Sequence, residues 1–305
     1  MKKTTLFLVS LLLIFMTGCS LEPPEWAKPT RSGDIKDMKI GLSISTLNNP
    51  FFVSLKDGVV AEAANLGMDV VVVDAQNDSA KQSNDVDDLI QQGVDVLLIN
   101  PTDSSAISTV VQTANSLGIP VITLDRSAEQ GEVEALVASD NVKGGQMAAE
   151  YIVEQLGEGA KVIELEGVPG ASATRERGQG FHDVADVQLN VVAKQAADFD
   201  RTKGLNVMEN LLQGNPDVQA VFAHNDEMAL GAIEAIQSSG KDIIVIGFDG
   251  NDDALKSIEA GRLTATVAQQ PDLIGQLAVQ AASDVLQGNE VEQNIPAPLK
   301  LVVKE

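Results

Sequence analysis

From Met38 onward, short and continuously apolar runs alternate with longer amphipathic segments. The runs Val70-Val71-Val72-Val73 and Val96-Leu97-Leu98-Ile99 are apolar at every position, so both of their faces must be covered, as in a parallel sheet between helices. Candidate strands fall at residues 39–45, 69–74, 94–100, 120–125, 161–165, 189–195, 220–224, 243–248 and 263–269. Helical patterns lie between them at 52–66, 80–92, 104–117, 142–156, 177–185, 202–212, 227–237, 252–260 and 273–286. In the first, Leu55, Val59, Ala63 and Leu66 form one helical stripe. Strict β-α alternation predicts an α/β fold of doubly wound parallel sheets. Nine strands in about 265 residues suit two sheets of ordinary size, a first unit from Met38 to Ser139 and a second from Asp140.

The N-terminus reads as an address. Lys2 and Lys3 precede an apolar run from Leu6 to Met16, followed by Thr17-Gly18-Cys19-Ser20. That is a secretory signal pattern, and the run falls short of the roughly 20 apolar residues a membrane-spanning helix needs. The chain's single cysteine directly follows the run and resembles the lipobox of bacterial lipoproteins. Residues 1–18 are therefore expected to be a signal peptide, Cys19 the lipidation site, and 19–37 a tether with Pro23, Pro24, Trp26, Pro29 and Gly33. An ordinary signal peptide with an incidental cysteine is the plainer alternative.

Composition removes several classes of function. A formal net charge of −23 repels phosphate backbones and argues against nucleic acid as a partner. One cysteine excludes a disulfide framework or thiolate cluster. Two histidines, His182 and His224, leave little room for zinc or a histidine-based triad. Asp249-Gly250-Asn251-Asp252-Asp253 opens like a calcium loop, but Ala254 stands where glycine is required and Ala260 where the bidentate glutamate should be. Gly157-Glu158-Gly159 lacks a third glycine at the dinucleotide spacing. No metal and no cofactor are expected.

In open α/β sheets, ligands bind beyond the carboxyl ends of the strands. There this chain places Asn49, Phe51 and Phe52, Asn100, Asp125 and Arg126, then Arg175 and Arg177, Phe199, Asn225, Asp249 and Gln269. Carboxylates, amides and guanidinium groups together accept from and donate to the adjacent hydroxyls of a polyol, while phenylalanine rings cover the C–H faces of a sugar. Each residue also has a plainer role. Asn49 and Asn225 suit helix N-caps, Asp125-Arg126 a surface ion pair, and Asp249-Gly250 a tight turn.

The segments STLNNPFFVSLKDG (45–58), LLINPTDS (97–104), IPVITLDR (119–126), ASDN (138–141), RERG (175–178), DFDRTKGLNVMENLL (198–212), NPDVQAVFAHNDEMALGA (215–232) and VIGFDG (245–250) closely resemble the bacterial D-ribose-binding proteins, type I periplasmic sugar-binding proteins, here in lipoprotein form. The resemblance runs from about Lys39 to Glu305. It implies two lobes joined by three hinge crossings, near Ser139–Asp140, Gln270–Pro271 and Pro298. The N-terminal lobe would be 38–139 plus 271–298 and the C-terminal lobe 140–270 plus 299–305. It implies further that Asn49, Asp125, Arg126, Arg177, Asn225, Asp249 and Gln269 hydrogen-bond D-ribose, with Phe51, Phe52 and Phe199 against the ring. Asn100 either touches the sugar or only orients Asp125. His224 stands where the family pattern usually has glutamine. The implied role is a monomeric, non-enzymatic receptor on the outer face of the cell membrane, held there by its lipid anchor alone, that delivers ribose to an ABC permease. A receptor for a related pentose or furanose-like signal, a sugar-responsive regulator core and a sugar-processing enzyme are the alternatives.

Overall fold

The computed structural model describes residues 35–304. The signal segment, Cys19 and the tether up to residue 34 lie outside the described residues. The end of the expected tether, Ile35–Asp37, is a single 3-10 turn, with Ile35 packed against the core.

Two six-stranded sheets form. The first contains β1 (Lys39–Ile44), β2 (Asp69–Asp74), β3 (Val96–Ile99), β4 (Val121–Leu124), β5 (Ala135–Ser139) and β11 (Asn294–Ala297), in the order β11-β5-β4-β3-β1-β2, all parallel. The second contains β6 (Lys161–Glu166), β7 (Asn190–Ala196), β8 (Ala220–Ala223), β9 (Ile244–Asp249), β10 (Ala265–Ala268) and β12 (Lys300–Val303), in the order β12-β10-β9-β8-β6-β7. Only β12 runs antiparallel to its neighbour. The helices are α1 (Pro50–Leu66), α2 (Ser79–Gln91), α3 (Ser108–Ser116), α4 (Asn141–Leu156), α5 (Ser172–Gln188), α6 (Arg201–Gly214), α7 (Asp226–Ser239), α8 (Asp252–Glu259) and α9 (Pro271–Leu286).

Three strands go beyond the alternating pattern. β5 follows β4 through a loop with no helix, and the two still pair in parallel. β11 carries Pro296 and exposes Asn294 and Pro296, the composition of an edge strand rather than an apolar run. β12 closes the opposite edge. Helix α5 also starts earlier than its apolar stripe suggests, at Ser172, because its polar first turns face the other lobe rather than solvent.

Each sheet is covered on both faces. One core joins α1 and α9 to the first sheet through Leu55, Val59, Ile274 and Ala278, and another joins α2 and α3 through Leu89 and Val111. In the second sheet, Phe181, Phe222 and Phe248 fill the space under α4 and α5, while Met208, Met228 and Ile258 fill the opposite face. The helix pairs approach through reciprocal glycines. A Cβ on Gly145 of α4 would lie 2.1 Å from the Arg177 carbonyl oxygen, and one on Gly180 of α5 would lie 1.8 Å from that of Val142. Gly58 with Gly275, and Gly204 with Gly231, do the same for α1–α9 and α6–α7. This close packing sets where the N-terminal halves of α1, α5 and α7 end up, and those ends carry side chains of the site. The chain passes between the lobes three times: from β5 to α4, from β10 to α9 and from β11 to β12.

Candidate ligand-binding site

The carboxyl ends of the two sheets face each other, and the lobes touch along one rim. The Ser104 amide donates to the Gly170 carbonyl at 2.9 Å, the Ser172 amide to the Ser104 hydroxyl at 3.1 Å, and the Ser127 amide to the Ser172 hydroxyl at 3.0 Å. Arg175 pairs with Glu129 across the same rim at 3.1 Å. The lobes are thus closed on each other. Arg175 is half exposed there, so of the two RERG arginines only Arg177 reaches the interior.

Arg177 lies at the centre. Its guanidinium is 3.8 Å from Asp125 of the first lobe and 3.8 Å from Asp249 of the second. Nε donates to Asn141 Oδ1 at 2.8 Å and Nη1 to the His224 carbonyl at 2.6 Å, while the Phe248 ring lies beneath at 3.9 Å. Arg126 donates to the Pro101 carbonyl at 3.0 Å and lies 3.4 Å from Asp125. Its guanidinium is 5.0 Å from the Phe52 centroid and 5.2 Å from that of Phe199, one ring from each lobe. Burial, opposed by Asp125 and reinforced by Arg177, pulls Arg126 down to about 10, which leaves it charged at neutral pH.

Backbone geometry aims the carboxylates. Asp125 has φ 63° and Asp249 φ 123°, conformations L-residues seldom adopt and that recur at binding sites. Phe199 has φ 59°, and Gly167 makes room for it, since a Cβ there would lie 2.0 Å from its ring. Asn49 and Asn225 serve two purposes. Each caps a helix through its side-chain oxygen, Asn49 from the Phe51 amide at 2.9 Å and Asn225 from the Met228 amide at 2.9 Å. Capping uses only the oxygen, and the Asn225 NH2 reaches the Phe199 carbonyl at 3.4 Å with a second hydrogen still to donate, so cap and ligand donor are compatible roles. Phe51 and Phe52 are both buried in the first-lobe core, edge to face with centroids 5.2 Å apart. Gln269 donates to Asp249 Oδ1 at 2.9 Å.

Asn100 is wholly buried and fully engaged. Its oxygen accepts from the Ser45 hydroxyl at 2.6 Å, and its nitrogen donates to the Leu124 carbonyl at 3.0 Å, beside Asp125 Oδ2 at 3.5 Å. Those contacts favour orienting Asp125. Within the buried site, Asp125 Oδ1, Arg126 Nε and Gln269 Oε1 have no hydrogen-bond partner in the protein. Two acceptors and a donor at one locus suit hydroxyls, which serve as both. Asp249 is pushed well above the usual carboxylate range, by burial first and then by Asp226, against the pull of Arg177.

Several residues that build the site were given no role by the sequence. Asn141 orients Arg177 from the first turn of α4. The His224 side chain turns away to Glu164, 2.9 Å from Nε2, and Glu164 also meets His182 Nε2 at 2.9 Å. The mouth of the cleft is a cavity of about 200 Å³ bordered by Asn48, Asn77, Phe199, Arg201 and Glu227. Among the described residues no cluster of His, Cys, Asp or Glu is arranged to hold a metal ion, and no helix is long and apolar enough to cross a membrane.

Comparison with known proteins agrees with this geometry. A family model described as a periplasmic binding protein domain matches residues 40–290. The chain is 71% identical over 301 residues, 99% of each chain, to the ribose import binding protein RbsB of Bacillus subtilis (strain 168). It is 58% identical over 268 residues to that of Escherichia coli (strain K12), covering 87% of this chain and 90% of the relative. Among solved structures, the Caulobacter myo-inositol binding protein bound to myo-inositol superposes with a TM-score of 0.84 at 33% identity, covering 90% and 94% of the two chains. The periplasmic ribose ABC transporter structure from Conexibacter woesei DSM 14684 gives 0.78 at 28% identity, covering 89% and 94%.

Proposed function

The chain belongs to the periplasmic-binding-protein family, and from that premise we propose that it captures D-ribose between its lobes outside the cytoplasm and delivers it to an ABC importer. The observation that carries this reading is Arg177 held between Asp125 and Asp249 of opposite lobes, beside buried acceptors with no protein partner. A sugar with adjacent hydroxyls donates to Asp125 and Gln269 while accepting from Arg126, Arg177 and the NH2 groups of Asn49 and Asn225. Phe52 and Phe199 flank it from the two sides. A ligand that touches both lobes favours the closed state by its differential contacts. Micromolar binding corresponds to about −8 kcal/mol, which several charge-assisted hydrogen bonds of about 1.5–3 kcal/mol each supply after ordering costs. Phosphorylated sugars fit poorly against two buried carboxylates.

The carboxylates of the site face guanidinium groups, which supports a reading of binding rather than turnover. Isothermal titration of the body from Ser20 onward with D-ribose tests the reading. Saturable one-to-one binding, with no product after prolonged incubation, is expected. Absence of binding, or tighter binding of another pentose in competition, would replace ribose as the ligand. We also propose that acylated Cys19 anchors the receptor to the outer face of the membrane, supported by its place directly after the apolar run. Two or more acyl chains would hold it stably, where one alone binds only marginally. Cys19→Ser should release the protein from the membrane fraction, and retention there would count against the anchor.

A further inference from the structure

Asp226 begins α7, directly after the cleft residue Asn225, and is completely buried. An aspartate at that position usually does no more than complement its own helix dipole. Here its acceptors are used elsewhere. Oδ2 accepts from the backbone amides of Gly250 and Asn251, both at 2.8 Å, and Oδ1 accepts from the Thr266 hydroxyl at 2.7 Å. Gly247 opens the space for this carboxylate, since a Cβ there would lie 2.2 Å from Oδ1.

The two amides belong to the turn that presents Asp249. That turn places two successive residues at positive φ, Asp249 at 123° and Gly250 at 80°. Backbone strain of this kind persists only where surrounding contacts hold it. Thr266 lies on β10, three residues before Gln269, whose side chain donates to Asp249. One buried carboxylate thus joins three segments, and each of them ends in a cleft side chain: Asn225, Asp249 and Gln269. Burying it beside Asp249 is costly. Burial raises Asp226 to about 7 against the pull of its three donors, and its charge pushes Asp249 up as well. An apolar residue would fit the fold more cheaply but would leave two buried amides without acceptors.

We propose that Asp226 is a positioning residue for sugar binding, holding the strained Asp249 turn and the Gln269 strand in register with Asn225. The proposal rests on the cleft being the sugar site. It is tested by titrating D-ribose into the wild type, Asp226→Ala, Asp226→Asn and, as a control, Leu212→Ala, a second-lobe core substitution remote from the cleft. Thermal unfolding of all four is measured alongside. The asparagine oxygen can still accept from both amides, and its NH2 can donate to the Thr266 hydroxyl. Asp226→Asn is therefore expected to bind within about threefold of wild type, and Asp226→Ala on the order of tenfold to a hundredfold more weakly. Leu212→Ala should lose thermal stability and keep its affinity. Wild-type affinity in Asp226→Ala would overturn the proposal. So would equal weakening in Asp226→Asn and Asp226→Ala, or in Leu212→Ala and Asp226→Ala at matched stability. Should Asp226→Ala fail to fold, Thr266→Val, which removes one donor to the clamp, is expected to weaken binding severalfold, and unchanged binding there would overturn it. If the wild type itself binds no ribose, the functional reading fails instead, a result distinguishable from all of these.

Discussion

Behind Asp125 the first lobe places neutral amides and hydroxyls, whereas behind Arg177 and Asp249 the second lobe places charge. In the first lobe, Asn100 ties Ser45 to the end of β4, and Gln82 donates to Ser43 at 3.1 Å and to the Asn100 carbonyl at 2.9 Å. In the second, Glu164 lies between His182 and His224, and Asp226 holds the β9 turn. The two lobes present similar groups to the cleft, yet the fully buried carboxylates behind those groups, Glu164 and Asp226, belong to the second. Neutral networks hold their shape over a wide pH range, while charged ones link shape to protonation.

The largest expected effect bears on the shared centre. Arg177→Ala leaves buried Asp249 without its cation and Asp125 with Arg126 alone, and should weaken ribose binding more than about a hundredfold by calorimetry. Asp125→Ala should do nearly as much from the other lobe. If either keeps wild-type affinity, the lobes do not meet at a common ligand. Next comes the neutral scaffold. Asn100→Ala strands the Leu124 carbonyl and the Ser45 hydroxyl and should cost about 1–3 kcal/mol in denaturant unfolding, by the same amount at acidic and alkaline pH.

The charged scaffold should behave differently. Both ring nitrogens of His182 face carboxylates, Asp186 at 2.7 Å and Glu164 at 2.9 Å, an arrangement that favours the doubly protonated ring. Burial lowers its pKa, but the Asp186 hydrogen bond and the Glu164 charge outweigh that and leave it raised. A raised folded value means stability that is complete below the unfolded value of about 6.5 and lost as pH rises through the folded one. The gap in melting temperature between wild type and His182→Gln should therefore be widest in mild acid and close on the alkaline side. A gap independent of pH would erase the contrast between the lobes. The smallest effect belongs to the exposed rim pair. Glu129→Gln should change ribose affinity by a few-fold at most, and the difference should vanish in high salt.

The residues that meet the cleft were largely legible because strand ends and helix caps are local features. Asp125, Asp249 and Gln269 each follow an apolar run directly, and Asn225 follows one after His224; a position after such a run is where an α/β sheet keeps its ligand groups. The strand-end pattern alone left Arg175 and Arg177 open and the family resemblance pointed to Arg177; the fold gives the reason, since two residues along a helix turn a side chain to another face. The scaffold was not legible either. Glu164 reads as one polar position in a strand, and its partners stand 18 and 60 residues away. β11 escaped notice because an edge strand with a proline lacks the apolar pattern that marks a central one.

By itself the sequence determined the two layered α/β units and the kinds of groups at the strand ends, because apolar periodicity, capping and turn chemistry act between near neighbours. Only the tertiary structure decided which carboxylate meets which guanidinium, and that the second lobe holds its cleft residues with buried charge. Those contacts join side chains far apart in the chain, and their energies depend on burial and distance that no local pattern records.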